Sequence, residues 1–160
     1  MRTRQATDGI DPQSTGEDMS PDPRIERLPH QPPFRFVSRL KLMEPGHVVA
    51  CWDVTAEEWF LPGHFPGRPL VPGVLITEAL AQACGLAADD SDEPSGGMLV
   101  SSDMRFRRPV TPPATIELEA NLVRSMPPLH LFEASATVDG ERCAEGTIGL
   151  LVGDVPEDGT

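Results

Sequence analysis

The sequence predicts an α+β domain in which an antiparallel sheet wraps around one long central helix. Two observations carry that prediction. Residues 74–88 hold good helix formers and no proline, with Thr77, Glu78 and Gln82 as the few polar positions, so this helix is expected to be buried nearly all round. About five or six further stretches read as strands, by period-two alternation or by the turns that bound them. A sheet must bury one face, and this helix is the element able to fill it.

The chain has 160 residues, enough for one domain with a real core. Residues 1–24 are polar and aperiodic and are expected to be a disordered tail. The folded domain should span 25–153, and 154–160 should be a frayed acidic end. Residues 25–30 suggest one short helical turn, stopped by Pro29. Residues 36–43 and 48–54 read as two strands joined by the hairpin turn Glu44-Pro45-Gly46-His47, with His47 expected in solvent. Residues 57–60 form a turn or short helix. After the long helix, 89–97 is an acidic loop, and 98–110 reads as a long strand whose open edge invites pairing with a second chain. Residues 115–122 alternate strictly. Residues 129–138 and 142–152 are the last two strands, joined by Asp139-Gly140.

The chain is organised around residues 63–82. Gly63 to Gly73 contains three Gly, three Pro and one histidine, His64, so it is neither helix interior nor central strand. It also carries Phe65, Leu70 and Val71, enough to be packed down. Pro72 fits a helix start, and Gly73 lets the backbone approach something closely. The first N–H groups of the helix would suit a carbonyl oxygen that becomes an oxyanion. Glu78 is a carboxyl on an apolar helix, costly unless paired, neutral or catalytic. The competing readings are a structural histidine and a carboxyl that is a satisfied core acid or faces a partner subunit. Together the pieces supply a base, an acid and an oxyanion site.

Net charge is −12, which argues against nucleic acid as a partner. No apolar run is long enough to span a membrane, and no secretory signal is evident. Cys51, Cys84 and Cys143 lack metal or redox spacing and read as reduced thiols in a cytoplasm. No metal or other cofactor is expected. Arg105, Arg107 and Arg108 form a local basic cluster that is either a solvated sheet edge or a docking patch for an acidic partner.

The stretch GHFPGRPLVPGVLITEALAQ, residues 63–82, resembles the signature of the 3-hydroxyacyl-[acyl-carrier-protein] dehydratases of the FabZ type. LPHQPPF at 28–34, FRRPV at 106–110 and ATVDG at 136–140 are similar to other family segments, so the resemblance runs from about 28 to 152. It implies the hotdog fold and an obligate homodimer with a continuous sheet, or a trimer of such dimers. It implies dehydration of (3R)-3-hydroxyacyl-ACP to trans-2-enoyl-ACP in fatty acid, polyketide or polyene biosynthesis, with acyl carrier protein as partner. Carried over, His64 is the catalytic histidine, Glu78 of the other subunit the acid, and Gly73 the backbone donor to the thioester. Phe65, Pro72, Val74 and Gln82 would line the tunnel or support the site, Gln82 by orienting Glu78. Desolvation in an apolar tunnel would raise Glu78 far enough to keep its proton near neutrality. Arg105, Arg107 and Arg108 would dock the carrier. Glu rather than Asp at the acid position resembles the simple dehydratase, not the relative that also isomerises. The departures are Gln31 for Arg, Ser38 for Asp, Thr111-Pro112-Pro113-Ala114 for VPGD, and the absence of Tyr. They bear on chain length and docking, not on the chemistry. The rivals are a non-catalytic acyl-binding or partner-supporting hotdog protein and a hotdog acyl thioesterase.

Overall fold

A computed structural model describes residues 22–88 and 97–153. The readings made on residues 1–21, 89–96 and 154–160 lie outside them. Six strands, β1 (Arg39–Glu44), β2 (His47–Val54), β3 (Gly97–Phe106), β4 (Ala114–Met126), β5 (Leu129–Val138) and β6 (Glu141–Val152), form one sheet around α1 (Gly73–Ala88). The order across the sheet is β1-β2-β4-β5-β6-β3, and every pair is antiparallel.

The alternation in β4 shows how the sheet takes up the helix. Ile116, Leu118 and Ala120 are fully buried. Glu117 and Glu119 point outward, where they meet Lys41 Nζ at 2.6 Å and His47 Nε2 at 3.0 Å. His47, expected in solvent at the turn, is instead the first residue of β2 and is part-buried against Glu119, because antiparallel pairing sets it beside β4. The hairpin turns are as expected. Gly46 has φ 75°, and Asp139 and Gly140 have φ 50° and 77°, the positive pair that a tight primed turn requires.

Inside the sheet, Leu80 and Cys84 of α1 pack with Phe132, Ile148 and Trp52. Each large side chain so buried is worth about 1.5–3 kcal/mol relative to exposure. Burial pushes the Cys84 thiol far above its ordinary range, so it is an inert hydrophobe. The expectation of all-round burial fails for the first turn of α1, where Val74 is 75% exposed. Burial of α1 takes in Ile76 and resumes from Ala79, while Val74 lies on the open side of the first turn. The first short turn also falls earlier than expected: a 3-10 turn runs over Pro23–Arg27, capped by the Asp22 carboxylate, which accepts from Arg24 N–H.

β3 ends at Phe106 rather than running to Val110. Arg107 and Arg108 both turn their N–H groups to the Cys143 carbonyl, and Pro109 has no N–H to continue a ladder. β3 is the sheet edge after β6, and nearly every residue along it is exposed, Met98, Leu99, Val100 and Phe106 among them.

Candidate active site

The loop before α1 is held by its own backbone. His64 N–H bonds the Leu61 carbonyl, Phe65 and Arg68 exchange N–H and carbonyl, Leu70 N–H returns to the His64 carbonyl, and Val71 N–H bonds the Val110 carbonyl. Gly67 takes φ 71°, a region that glycine enters without strain. The His64 ring is fixed twice: its Nδ1 lies 3.0 Å from the Leu70 carbonyl, and Phe65 stacks on it with centroids 4.1 Å apart. A carbonyl only accepts, so Nδ1 carries the hydrogen and, in the neutral ring, Nε2 is left with a bare lone pair. That is the tautomer of a general base.

His64 lines a cleft of about 320 Å³ with Leu70, Val71, Gly73, Ile76 and Phe106. The ladder of α1 begins with Leu75 and Ile76 N–H on the Pro72 carbonyl. Among the described residues no acceptor meets the N–H of Gly73 or Val74. The close approach expected at Gly73 is to Phe106, whose ring would stand 2.9 Å from a Cβ there. Pro72 is buried and Phe65 and Val74 are exposed, and none of the three lines this cleft.

Glu78 is elsewhere. It lines a separate cavity of about 80 Å³ with Arg27, His30, Gln82, Leu86 and Leu99. Gln82 is 1% exposed and uses every polar group it has. Its Oε1 accepts from Phe36 N–H at 2.9 Å, and its Nε2 donates to the Phe34 carbonyl at 2.9 Å and to Glu78 Oε1 at 3.0 Å. The orienting role expected of Gln82 therefore has its bond, and the same amide staples segment 34–36 to the helix. His30 Nε2 stands 3.3 Å from the same Oε1.

These bonds reverse one expectation. Hydrogen bonding from His30, ahead of the opposing effect of burial and with help from Gln82, holds the Glu78 carboxyl below the usual carboxylate range. Donors aimed at the charged form outweigh desolvation, because the residue is only half-buried in a single chain. His30 is the residue that motif reading missed as a participant. It lay in the quoted segment 28–34, but nothing local ties it to a carboxyl so distant in sequence.

The arginine cluster is on the surface, yet two of its members are engaged. Arg107 meets Glu145 at 2.6 Å, and Arg108 pairs with Glu141. Arg105 is exposed with no ion-pair partner among the described residues. No three His, Cys, Asp or Glu side chains converge as metal ligands would, among the described residues.

Residues 28–147 match the model of the FabA-like domain. The FabZ 3-hydroxyacyl-[acyl-carrier-protein] dehydratase of Anaeromyxobacter sp. is 41% identical over 135 residues, which cover 79% of this chain and 85% of that protein. The one from Herpetosiphon aurantiacus is 43% identical over 131 residues, 79% of this chain and 93% of that one. Among solved structures, the dehydratase heterocomplex ApeI:P from Xenorhabdus doucetiae superposes with a TM-score of 0.70 at 21% identity, covering 83% of this chain and 93% of that one. A hypothetical thioesterase with coenzyme A from Streptococcus pneumoniae superposes at 0.56 with 14% identity, covering 72% and 84%. At such identities these neighbours establish the hotdog fold, which thioesterases share, while the sequence relatives establish the family: this chain belongs to the FabA-like hotdog proteins, among the FabZ-type 3-hydroxyacyl-[acyl-carrier-protein] dehydratases.

Proposed function

We propose that the protein removes water from a 3-hydroxyacyl thioester carried on acyl carrier protein, giving the trans-2-enoyl product for the assembly of fatty acids or related acyl chains. The observation that carries this reading is the fixed His64 ring, with its bare Nε2 in the cleft that opens at the start of α1. His64 Nε2 takes the C2 proton. The electron pair of that C–H bond forms the C2–C3 double bond as the C3–O bond breaks. Negative charge that builds on the thioester oxygen meets the unclaimed N–H groups of Gly73 and Val74. Glu78 gives a proton to the departing hydroxide, so water leaves. His64 then returns its proton through solvent, and Glu78 is recharged.

His64 and Glu78 of one chain line different cavities, which supports pairing across a homodimer, each site joining His64 of one subunit to Glu78 of the other. The exposed apolar residues of the open β3 edge suit such a contact. The partner and the acyl chain would exclude water around Glu78 and raise its carboxyl against the two donors. Arg105 is the carrier-docking arginine with the least competition from acids. The reading places the protein in the cytoplasm and requires no cofactor.

The test is mass spectrometry of a 3-hydroxyacyl-ACP, or a short thioester analogue, for loss of one water. His64→Ala and Glu78→Gln are then made and mixed after joint unfolding and refolding. A site shared between subunits regains activity in the mixed dimer, whereas a site within one chain does not. Failure to form enoyl product from any chain length would sink the enzymatic reading.

A further inference from the structure

We propose that His30 is a positioning residue for Glu78, converging with Gln82 on one carboxylate oxygen so that the other is left to face the reacting hydroxyl. The inference rests on the reading of Glu78 as the acid. It starts from the geometry: His30 Nε2 at 3.3 Å and Gln82 Nε2 at 3.0 Å both meet Oε1, and neither meets Oε2. Two donors on one oxygen fix the plane of the carboxyl. They also leave Oε2 as the atom to which substrate can hydrogen-bond.

The His30 ring is itself constrained. Its Nδ1 is buried without a hydrogen-bond partner among the described residues. A buried N–H without an acceptor is the less tolerable form, so the ring favours a bare Nδ1 and a hydrogen on Nε2, directed at Glu78. The Phe34 ring lies beside that of His30, with centroids 6.5 Å apart. The Phe34 carbonyl is in turn held by Gln82, so one buried amide anchors both the carboxyl and the segment that brings His30 to it. An N–H donor facing a carboxylate stabilises its charged form, in keeping with a Glu78 carboxyl held below the usual carboxylate range. Among the described residues, few titratable groups surround this carboxyl. Arg27 and His30 line the cavity, Gln82 adds a neutral donor from α1, and β3 and β6 present Gly97, Leu99 and Leu150.

The consequence is a specific coupling. His30 sets how readily Glu78 holds its proton and which oxygen delivers it. A general acid acts only while protonated, so rate is lost above its pKa. Removing the His30 donor moves that limb of the pH profile upward and releases the carboxyl from its orientation.

The test uses His30→Leu, His30→Gln, Glu78→Gln and the double variant His30→Leu/Glu78→Gln, each as the full chain. Glutamate carboxyl resonances are followed by carbon NMR across pH, with the Glu78 signal identified by its loss in Glu78→Gln. In His30→Leu, the Glu78 midpoint is expected to move upward, and the basic limb of kcat/KM with it. Misorientation is expected to lower kcat by up to about 100-fold. His30→Gln retains an N–H of similar reach and is expected to restore most of the rate and the low midpoint. In the Glu78→Gln background, adding His30→Leu is expected to cost less than about two-fold, because the residue acts through Glu78. An unmoved Glu78 titration, or a His30→Leu loss that persists undiminished in the double variant, would overturn the assignment. So would a lowered melting temperature with kcat and the pH profile unchanged, the signature of a purely structural histidine. Wild-type turnover by Glu78→Gln would instead overturn the acid reading, and the catalytic part of this one with it; an unmoved titration overturns the His30 assignment alone.

Discussion

Replacing Gln82 by Glu tests the buried amide with almost no change of shape. The new side chain keeps an oxygen for Phe36 N–H but loses both N–H donors. It then sets a second carboxyl where the amide stood 3.0 Å from Glu78 Oε1, at a position 1% exposed. Two carboxylates so close cannot both remain ionised, so the pair must retain one proton. Holding a proton at pH 7 on a group whose ordinary pKa is ~4.3 costs about 3.7 kcal/mol, from ~1.36 kcal/mol per unit. The sign follows from the proton count. The folded variant binds one more proton than the unfolded chain above about pH 5, so its stability falls by roughly 1.4 kcal/mol per unit as pH rises. In the wild type Glu78 works in the opposite sense. Its lowered carboxyl adds stability above the unfolded pKa, and that stability is lost as pH falls through the folded value. Urea unfolding of both proteins at pH 5, 6 and 7, at one protein concentration, should give a difference that widens by about 1.4 kcal/mol at each step. A difference independent of pH would refute the contact between these two side chains.

His64→Ala is expected to lower turnover by about 10²–10⁴-fold with dimer and melting temperature unchanged, and turnover within a few-fold of wild type would remove His64 from the base role. Arg105→Glu is expected to raise KM for carrier-bound substrate, strongly at low salt, while sparing a small thioester. Arg107→Glu and Arg108→Glu instead break exposed ion pairs with Glu145 and Glu141, and each is expected to move the urea midpoint only slightly. Gly73→Ala is expected to push the Phe106 ring aside, cut kcat/KM and leave the melting temperature within about 4 °C, since that ring is half exposed.

What could be read from the sequence was whatever local chemistry decides. Residues 74–88 announce a buried helix, Asp139-Gly140 announces a tight turn, and a histidine among glycines and prolines announces a rigid loop. Each depends on neighbours within a few positions. The features that escaped depend on register. The outward row of β4 meets β1 and β2, which draws His47 from solvent to Glu119. The β3–β6 ladder sets Arg105 opposite Glu145, and the chain leaving β3 brings Arg107 to that same carboxylate, so a cluster that looked uniformly basic is partly neutralised. Phe106 comes to rest on Gly73 because β3 ends there and the chain turns toward the helix start.

The acid shows the difference between recognising a residue and knowing its state. Glu78 stands out in the sequence because a carboxyl on an apolar helix needs a reason, and desolvation alone would raise it. Its actual surroundings come from Pro29-His30 and Phe34, more than forty positions away, folded back along α1 and held there by Gln82. Those donors favour the charged form, so one chain by itself holds the Glu78 carboxyl in the form least able to give a proton. The same chain keeps His64 in another cavity. Both features point the same way. Under the proposed function, a second subunit and an apolar acyl chain brought to the open side of α1 would complete the site and desolvate the carboxyl. The exposed Val74 at the helix start and the apolar residues along the β3 edge are surfaces that would suit such a contact.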